Sequence, residues 1–155
     1  MSELIDVCWK NDTEIALKLI ENKANLDLQD EDGWTALMYS CYNNNTEIAL
    51  KLIENKANLD LQNEYEWTVL MWSCYNNNTE LTIKLIENKA NLDLQNNDGW
   101  TALIQSCHNS NTEIALKLIE NKANLDLQDK YGWTALMQSC RWNNTEIISY
   151  LLEMY

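Results

Sequence analysis

The chain has 155 residues, of which 46% are apolar, and a formal net charge of −13. This composition excludes a disordered polymer, because disordered chains have few apolar residues, and the acidity argues against nucleic acid or an anionic membrane as the ligand, since both are polyanions. No apolar stretch approaches the about 18 residues that a membrane-spanning helix needs, so we expect neither a nucleic-acid partner nor a membrane partner.

The chain is built from units that repeat every 33 residues. The first unit, residues 1–29, ends in the segment ENKANLDLQ, which starts at Glu21 and again at Glu54, Glu87 and Glu120. The element W-T-[AV]-L begins at Trp34, Trp67, Trp100 and Trp133 with the same step. A constant period of this size indicates a repeat protein. We therefore divide one domain, residues 1–155, into units 1–29, 30–62, 63–95, 96–128 and 129–155, of which the first and last are incomplete.

The second unit shows the predicted elements in order. Residues 30–33 are a turn signal, and Thr35 is placed to cap a short helix that runs to about Tyr42. The asparagines at 43–45 interrupt it, and a second helix follows from about Thr46 to Asn55. Apolar side chains cover one side of this second helix, and a single helix pair cannot bury them. Stacked pairs can, so the pattern predicts an all-α solenoid of helix-turn-helix units.

Two segments of the second unit resemble ankyrin repeats. Residues 35–40, Thr-Ala-Leu-Met-Tyr-Ser, are similar to the ankyrin signature T-P-L-H-x-A. Residues 56–60, Lys-Ala-Asn-Leu-Asp, are similar to that family's G-A-D-V-N. The resemblance covers essentially the whole chain, and it implies a solenoid whose units are joined by β-turns or hairpin loops.

The chain departs from the family pattern at positions that need an unusual backbone. Lysine stands where the family has glycine after the second helix, and Glu66 replaces the turn glycine of the third unit. A residue with a side chain is strained there if the left-handed conformation is kept. We expect local strain at Glu66 and at Lys23, Lys56, Lys89 and Lys122, with the fold unchanged.

The five cysteines occupy one first-helix position in every unit: Cys8, Cys41, Cys74, Cys107 and Cys140. Packed helices lie about 8–10 Å apart, farther than the about 7 Å between α-carbons that a disulfide can span. We therefore expect all five to be buried and reduced. An odd number of cysteines fits a reducing compartment, and residues 1–10 lack the features of a signal peptide, so a cytoplasmic location is predicted.

The family resemblance implies that the chain binds another protein through its turn tips and the exposed side of its first helices, which line a concave surface. Units two and four differ at six positions, all in the turn, the first helix or the loop after it, while their second helices are identical. Tyrosine and tryptophan, which dominate interface hot spots, are frequent in these rows. The candidate binding residues are Trp9, Glu31, Asp32, Tyr39, Tyr42, Tyr65, Trp72, Tyr75, His108, Tyr131, Arg141 and Trp142.

Packing between repeats is the alternative role for these aromatic residues. The tryptophans at 34, 67, 100 and 133, present in every turn, are interpreted as stacking that stiffens the turns, with direct contact to a ligand as the alternative. No nucleophile–base pair, metal-ligand cluster or cofactor motif stands out, so we predict a protein that is not an enzyme, with no catalytic residues, no cofactor and no metal.

Two other functions stay open. The near-identity of the units also fits a structural spacer or an engineered scaffold without a dedicated ligand, and a small ankyrin protein can inhibit an enzyme by covering it. The last helix, 147–155, is rather apolar. We therefore expect either a monomer or weak self-association through the C-terminal repeat.

Overall fold

The computed structural model describes residues 2–154, and the described part is all-helical, with ten helices and no β-strand. The first helices of the units are α1 (Glu3–Trp9), α3 (Ala36–Tyr42), α5 (Val69–Tyr75), α7 (Ala102–His108) and α9 (Ala135–Arg141). The second helices are α2 (Thr13–Glu21), α4 (Thr46–Glu54), α6 (Thr79–Glu87), α8 (Thr112–Glu120) and α10 (Thr145–Met154).

The helices begin and end where the sequence provides caps. The Thr35 hydroxyl accepts a hydrogen bond from the Met38 amide at 3.1 Å, and the Asn45 side chain accepts one from Ile48 at 3.1 Å. The second helix stops one residue earlier than predicted, because Asn55 is already its C-cap. The following lysines are left-handed, with φ between 60° and 68° at Lys23, Lys56, Lys89 and Lys122, and Glu66 has φ 58°. The left-handed backbone expected at these five positions is thereby confirmed.

The helices stack in two layers. First helices contact first helices along the series from α1 to α9, and second helices contact second helices from α2 to α10. Leu37, Met38, Ile48 and Leu52 lie at the contact between layers and are at most 1% exposed. One continuous core therefore runs along the stack, which confirms the predicted all-α solenoid.

Polar side chains also join each unit to the next. The Asn45 amide donates to Asn11 Oδ1 at 2.7 Å and to Thr13 Oγ1 at 2.8 Å, and Asn78 makes the same two bonds one unit later. The Gln29 side chain donates to the carbonyl of Gln62 at 3.0 Å. The glutamine bond recurs at Gln62 and Gln95, whereas Asn111 donates instead to the Cys74 carbonyl at 2.6 Å. Asparagine and glutamine side chains therefore join neighbouring units, although the set of bonds is not the same at every boundary.

The expectation that all five cysteines are buried is wrong for one of them. Cys8, Cys41, Cys74 and Cys107 are buried, whereas Cys140 is exposed, because within residues 2–154 no further first helix packs on the other side of α9. Burial raises the pKa of Cys8 and Cys74 to about 11 and that of Cys107 to about 12. All five thiols are free.

Candidate protein-binding surface

The turns before the first helices are held by their first residue. Asp30 Oδ1 accepts hydrogen bonds from the amides of Asp32 at 3.1 Å and Trp34 at 2.8 Å. Asn63, Asn96 and Asp129 hold the later turns in the same way. The Glu64 amide donates to the Asp32 carbonyl at 2.9 Å, and the same kind of bond joins the later turns. The turn tips therefore form a fixed row, which together with the exposed ends of the first helices we call the turn face.

The turn tryptophans of units two and three, Trp34 and Trp67, pack against their own first helices. Trp34 stacks on Tyr39 with ring centroids 4.8 Å apart and meets Tyr42 edge-on at 5.6 Å. Trp67 stacks on Trp72 at 4.2 Å and meets Tyr75 at 6.0 Å. Trp72 also stacks on Trp34 at 5.2 Å and so joins the two units. The sequence predicted stacking by the turn tryptophans. Within the described residues, the ring of Trp72 lies between Trp34 and Trp67 and stacks on both.

These six rings form one aromatic surface on the turn face, made by Trp34, Tyr39, Tyr42, Trp67, Trp72 and Tyr75. Tyr42 and Tyr75 are 52% and 54% exposed. Tyr39 and Trp72 lie half-buried beneath them, and the Tyr39 hydroxyl donates to Asp30 Oδ2 at 2.8 Å. Tyr42 and Tyr75 are therefore the more exposed rings, whereas Trp72 packs against both of them and Tyr39 packs against Trp34.

In units four and five, a histidine and a cation replace the tyrosines. His108 lies against Trp100 with centroids 4.7 Å apart, and the Trp142 indole donates to His108 Nδ1 at 3.1 Å. The Arg141 guanidinium lies over the ring of Trp133 at 5.4 Å and over that of Trp142 at 5.6 Å. The turn tryptophans Trp100 and Trp133 are therefore covered by His108 and Arg141, where Trp34 and Trp67 are covered by tyrosines.

All twelve predicted binding residues lie on the turn face. Nine are exposed, and Tyr39, Trp72 and His108 are partly buried. They do not form one cluster: Tyr39, Tyr42, Trp72 and Tyr75 share the aromatic surface, and His108 and Trp142 share a hydrogen bond. The exposed members are Trp9, Glu31, Asp32, Tyr42, Tyr65, Tyr75, Tyr131, Arg141 and Trp142.

A family model described as ankyrin repeats (3 copies) matches residues 4–96 and 73–155. The chain belongs to the ankyrin repeat family. The search of curated proteins found no significant match. Ankyrin repeats are in general protein–protein interaction modules, and the family is typically not enzymatic.

Two further properties concern the described part of this ankyrin array. Across residues 2–154, no helix is long and apolar enough to cross a membrane. In the same part of the chain, no three side chains of the histidine, cysteine or carboxylate type come together in an arrangement that could hold a metal ion.

Sequence reasoning did not foresee the groove between units three and four of the ankyrin array. It has a volume of about 270 Å³, and its apolar walls are Trp67, Tyr75 and Trp100, with His108 beside them. The sequence favours a scaffold role for Trp67 and Trp100, with direct contact as the alternative. The spacing of eight residues from each tryptophan to the ring that covers it, Trp67 to Tyr75 and Trp100 to His108, is the signal that could have revealed the wall.

Charge divides the turn face of the ankyrin array into two parts. Residues 30–45 and 63–78, the turns and first helices of units two and three, contain Asp30, Glu31, Asp32, Glu64 and Glu66 and no lysine, arginine or histidine. Unit five carries Lys130 and Arg141 at the equivalent places. The first part therefore has a negative potential, and the second part does not.

Proposed function

We propose that this ankyrin repeat protein binds a partner protein through its turn face. The continuous aromatic surface carries the proposal, because Tyr42 and Tyr75 expose more than half of their area above a packed layer of rings. Rigid aromatic side chains lose little conformational entropy on binding, and they dominate hot spots at protein interfaces.

The residues of the aromatic surface have two different roles, contact with the partner and positioning of the contacting rings. Tyr42 and Tyr75 are the contacting side chains, joined at the turn tips by Tyr65 and Tyr131, which are 56% and 74% exposed. Trp72 positions them, because its ring lies 5.1 Å from that of Tyr42 and 5.9 Å from that of Tyr75. Replacing Trp72 would disturb both neighbours, so a test of contact uses the tyrosines.

Selection from a random peptide-display library tests the proposal without knowledge of the natural partner. The targets are the wild type, the double variant Tyr42→Ala and Tyr75→Ala, and a control with Lys84→Ala and Lys117→Ala on the second-helix layer. We expect enriched peptides that bind the wild type and the control but bind the tyrosine variant at least about tenfold more weakly, as hot-spot truncation predicts. Equal binding to all three would place the interface elsewhere, and the lack of any enriched peptide would favour a spacer.

We also propose weak self-association through the C-terminal repeat. Met137 and Leu152 are 48% and 60% exposed, although the equivalent residues of unit two, Met38 and Ile53, are 0% and 3% exposed. An apolar face of this kind favours association. Sedimentation should show a concentration-dependent rise in mass that Leu152→Lys abolishes, whereas a monomer at every concentration would refute it.

The free thiols support a cytoplasmic, reducing location as a further part of the proposal. Four of the five are buried among apolar side chains, where they pack as small residues. Rapid alkylation of acid-quenched cells should find all five reduced, and an oxidised Cys140 would contradict the assignment.

A further inference from the structure

Unit five shows how the turn face holds a cation. Lys130 Nζ lies 2.7 Å from Asp98 Oδ1, an acid on the turn of the preceding unit. The same ammonium lies 5.1 Å from the centre of the Tyr131 ring. A carboxylate and an aromatic ring together bind the lysine, which combines an ion pair with a cation–π contact.

The corresponding place between units two and three has the acids but no cation. Asp32 stands where Asp98 stands, and Glu64 stands where Lys130 stands. The Glu64 amide donates to the Asp32 carbonyl at 2.9 Å, so the two residues belong to adjacent, hydrogen-bonded turns. A hydrogen bond to Glu64 raises the pKa of Tyr65, and the charge of Asp32 adds to that rise. Within residues 2–154, neither Asp32 nor Glu64 forms an ion pair with a basic side chain.

Aromatic rings lie on the same part of the turn face as these acids. Tyr42 and Tyr75 are exposed at the first-helix ends, and Tyr65 is exposed at the turn tip. At the other end, Arg141 already lies over Trp133, in the position that Tyr42 takes over Trp34. The protein therefore supplies its own cations on the turn face of unit five, whereas the turns and first helices of units two and three, residues 30–45 and 63–78, carry rings and acids but no cation.

We propose that the segment of the partner that binds units two and three is a basic, extended peptide, with a lysine or arginine side chain between Asp32 and Glu64. The inference rests on the proposed function and names the chemistry of its partner. Charge complementarity selects this occupant: the acids of units two and three attract a cationic chain, and Lys130 and Arg141 repel its basic residues from unit five.

A defined probe tests the inference by fluorescence anisotropy. Packed helices lie about 10 Å apart and an extended chain advances about 3.3 Å per residue, so about nine residues span the three spacings between four units. The probe is a fluorescein-labelled peptide of that length in which arginine alternates with serine. A citrulline–serine peptide has the same shape without the charge, and a glutamate–serine peptide reverses the charge. We expect only the arginine peptide to bind.

A matched pair of triple variants separates this site from the general attraction of an acidic protein. The first variant carries Glu31→Gln, Glu64→Gln and Glu66→Gln on the turn face. The second removes the same number of charges from second helices through Glu47→Gln, Glu80→Gln and Glu113→Gln. Exposed ion pairs are individually weak, so three together predict about tenfold weaker binding for the first variant and less than about twofold for the second.

Two charge exchanges copy arrangements that the protein already contains, so both variants should fold. Glu64→Lys places an ammonium beside Asp32, as Lys130 lies beside Asp98, and should weaken binding more than Glu64→Gln does. Lys130→Glu removes the internal cation and should strengthen binding of the arginine peptide. Far-UV circular dichroism checks that each variant is helical.

The outcomes separate this inference from the proposed function. Equal weakening by the two triple variants, or equal binding of the citrulline peptide, overturns the basic-peptide assignment. If display selection still yields peptides that depend on Tyr42 and Tyr75, the proposed function stands without it. If neither the selected peptides nor the arginine peptide depends on the turn face, both conclusions fall.

Discussion

Glu66 occupies a turn position where the other complete turns have glycine, and Glu66→Gly should stabilise the protein. Its φ is 58°, while Gly33, Gly99 and Gly132 have φ between 76° and 80°. The left-handed conformation costs a residue with a side chain about 1–2 kcal/mol. Replacement by glycine removes this cost, but glycine loses more backbone entropy on folding, which offsets the gain in stability by about 0.5–1 kcal/mol.

Contacts at the equivalent glycines show that the side chain also crowds the next turn. A Cβ built on Gly33 would lie 3.0 Å from Asn63 Cα, and one built on Gly99 would lie 2.9 Å from Asp129 Cα. The hydrogen bond that closes the Glu66 turn, from the Asn63 amide to the Trp67 carbonyl, is 3.3 Å long, while the other three turns have 3.0 Å. Relief of this crowding brings the expected net gain for Glu66→Gly to about 1 kcal/mol.

Urea denaturation followed by circular dichroism measures the change. For a protein of this size, about 1 kcal/mol corresponds to a rise in Tm of roughly 2–4 °C. Glu66→Ala is the matched control: it removes the same charge but keeps the Cβ and the left-handed strain, so its stability should stay near that of the wild type.

A stability of Glu66→Gly equal to or below that of Glu66→Ala would refute the strain argument. Both variants lose a negative charge from the turn face, and both should bind the arginine–serine peptide more weakly to a similar extent. Glu66→Gly would then be a more stable protein and a poorer binder, which a general loss of structure cannot produce.

Asn63 Nδ2 and Trp72 Nε1 are both buried donors without an acceptor, whereas at the equivalent place in unit two Tyr39 donates to Asp30. Asn63→Asp would supply the missing acceptor and should stabilise the protein by about 1 kcal/mol. Calorimetry should show this gain for Asn63→Asp but not for the control Asn96→Asp. Burial raises the pKa of Cys8 and Cys74 to about 11. The stability that the two protonated thiols contribute is therefore complete below the pKa of the unfolded thiol, about 8.5, and is lost as pH rises toward about 11. Each thiol contributes a loss of up to about 1.4 kcal/mol per pH unit. Urea titrations between pH 8 and 11 should show a shallower loss for Cys74→Ala, and an unchanged slope would contradict the assignment. In the native protein, a thiol reagent at neutral pH should label Cys140 rapidly and the four buried cysteines only after unfolding; similar rates for all five would be incompatible with the described packing.

The period of the sequence was sufficient to predict the fold. Thr35 and Asn45 are local helix caps, and the apolar positions of each second helix can be buried only by a neighbouring unit. Helix ends and the stacking of units can therefore both be predicted without knowledge of the tertiary contacts. The left-handed lysines were predictable for the same reason, since backbone geometry at Lys56 follows from its place after the second helix.

The arrangement within the candidate site could not be predicted in the same way. The position of Trp72 between Trp34 and Trp67 depends on the distance between stacked units, which composition does not specify. The exposure of Cys140 depends on what packs against α9, and a search for periodic positions treats every copy alike. Pairing across units, such as that of Lys130 with Asp98, likewise appears only when the turns are placed side by side.

Two kinds of bond between neighbouring units recur at three successive boundaries. Asp27, Asp60 and Asp93 each accept a hydrogen bond from the asparagine amide 31 residues later, and Gln29, Gln62 and Gln95 each donate to the carbonyl 33 residues later. A repeat unit placed next to a different unit could therefore form the same aspartate and glutamine hydrogen bonds. A deletion of 33 residues would shorten the array by one unit, and a duplication would lengthen it by one. Either change would bring acidic and basic turns next to each other in a new order and so alter the binding surface while the architecture stays the same.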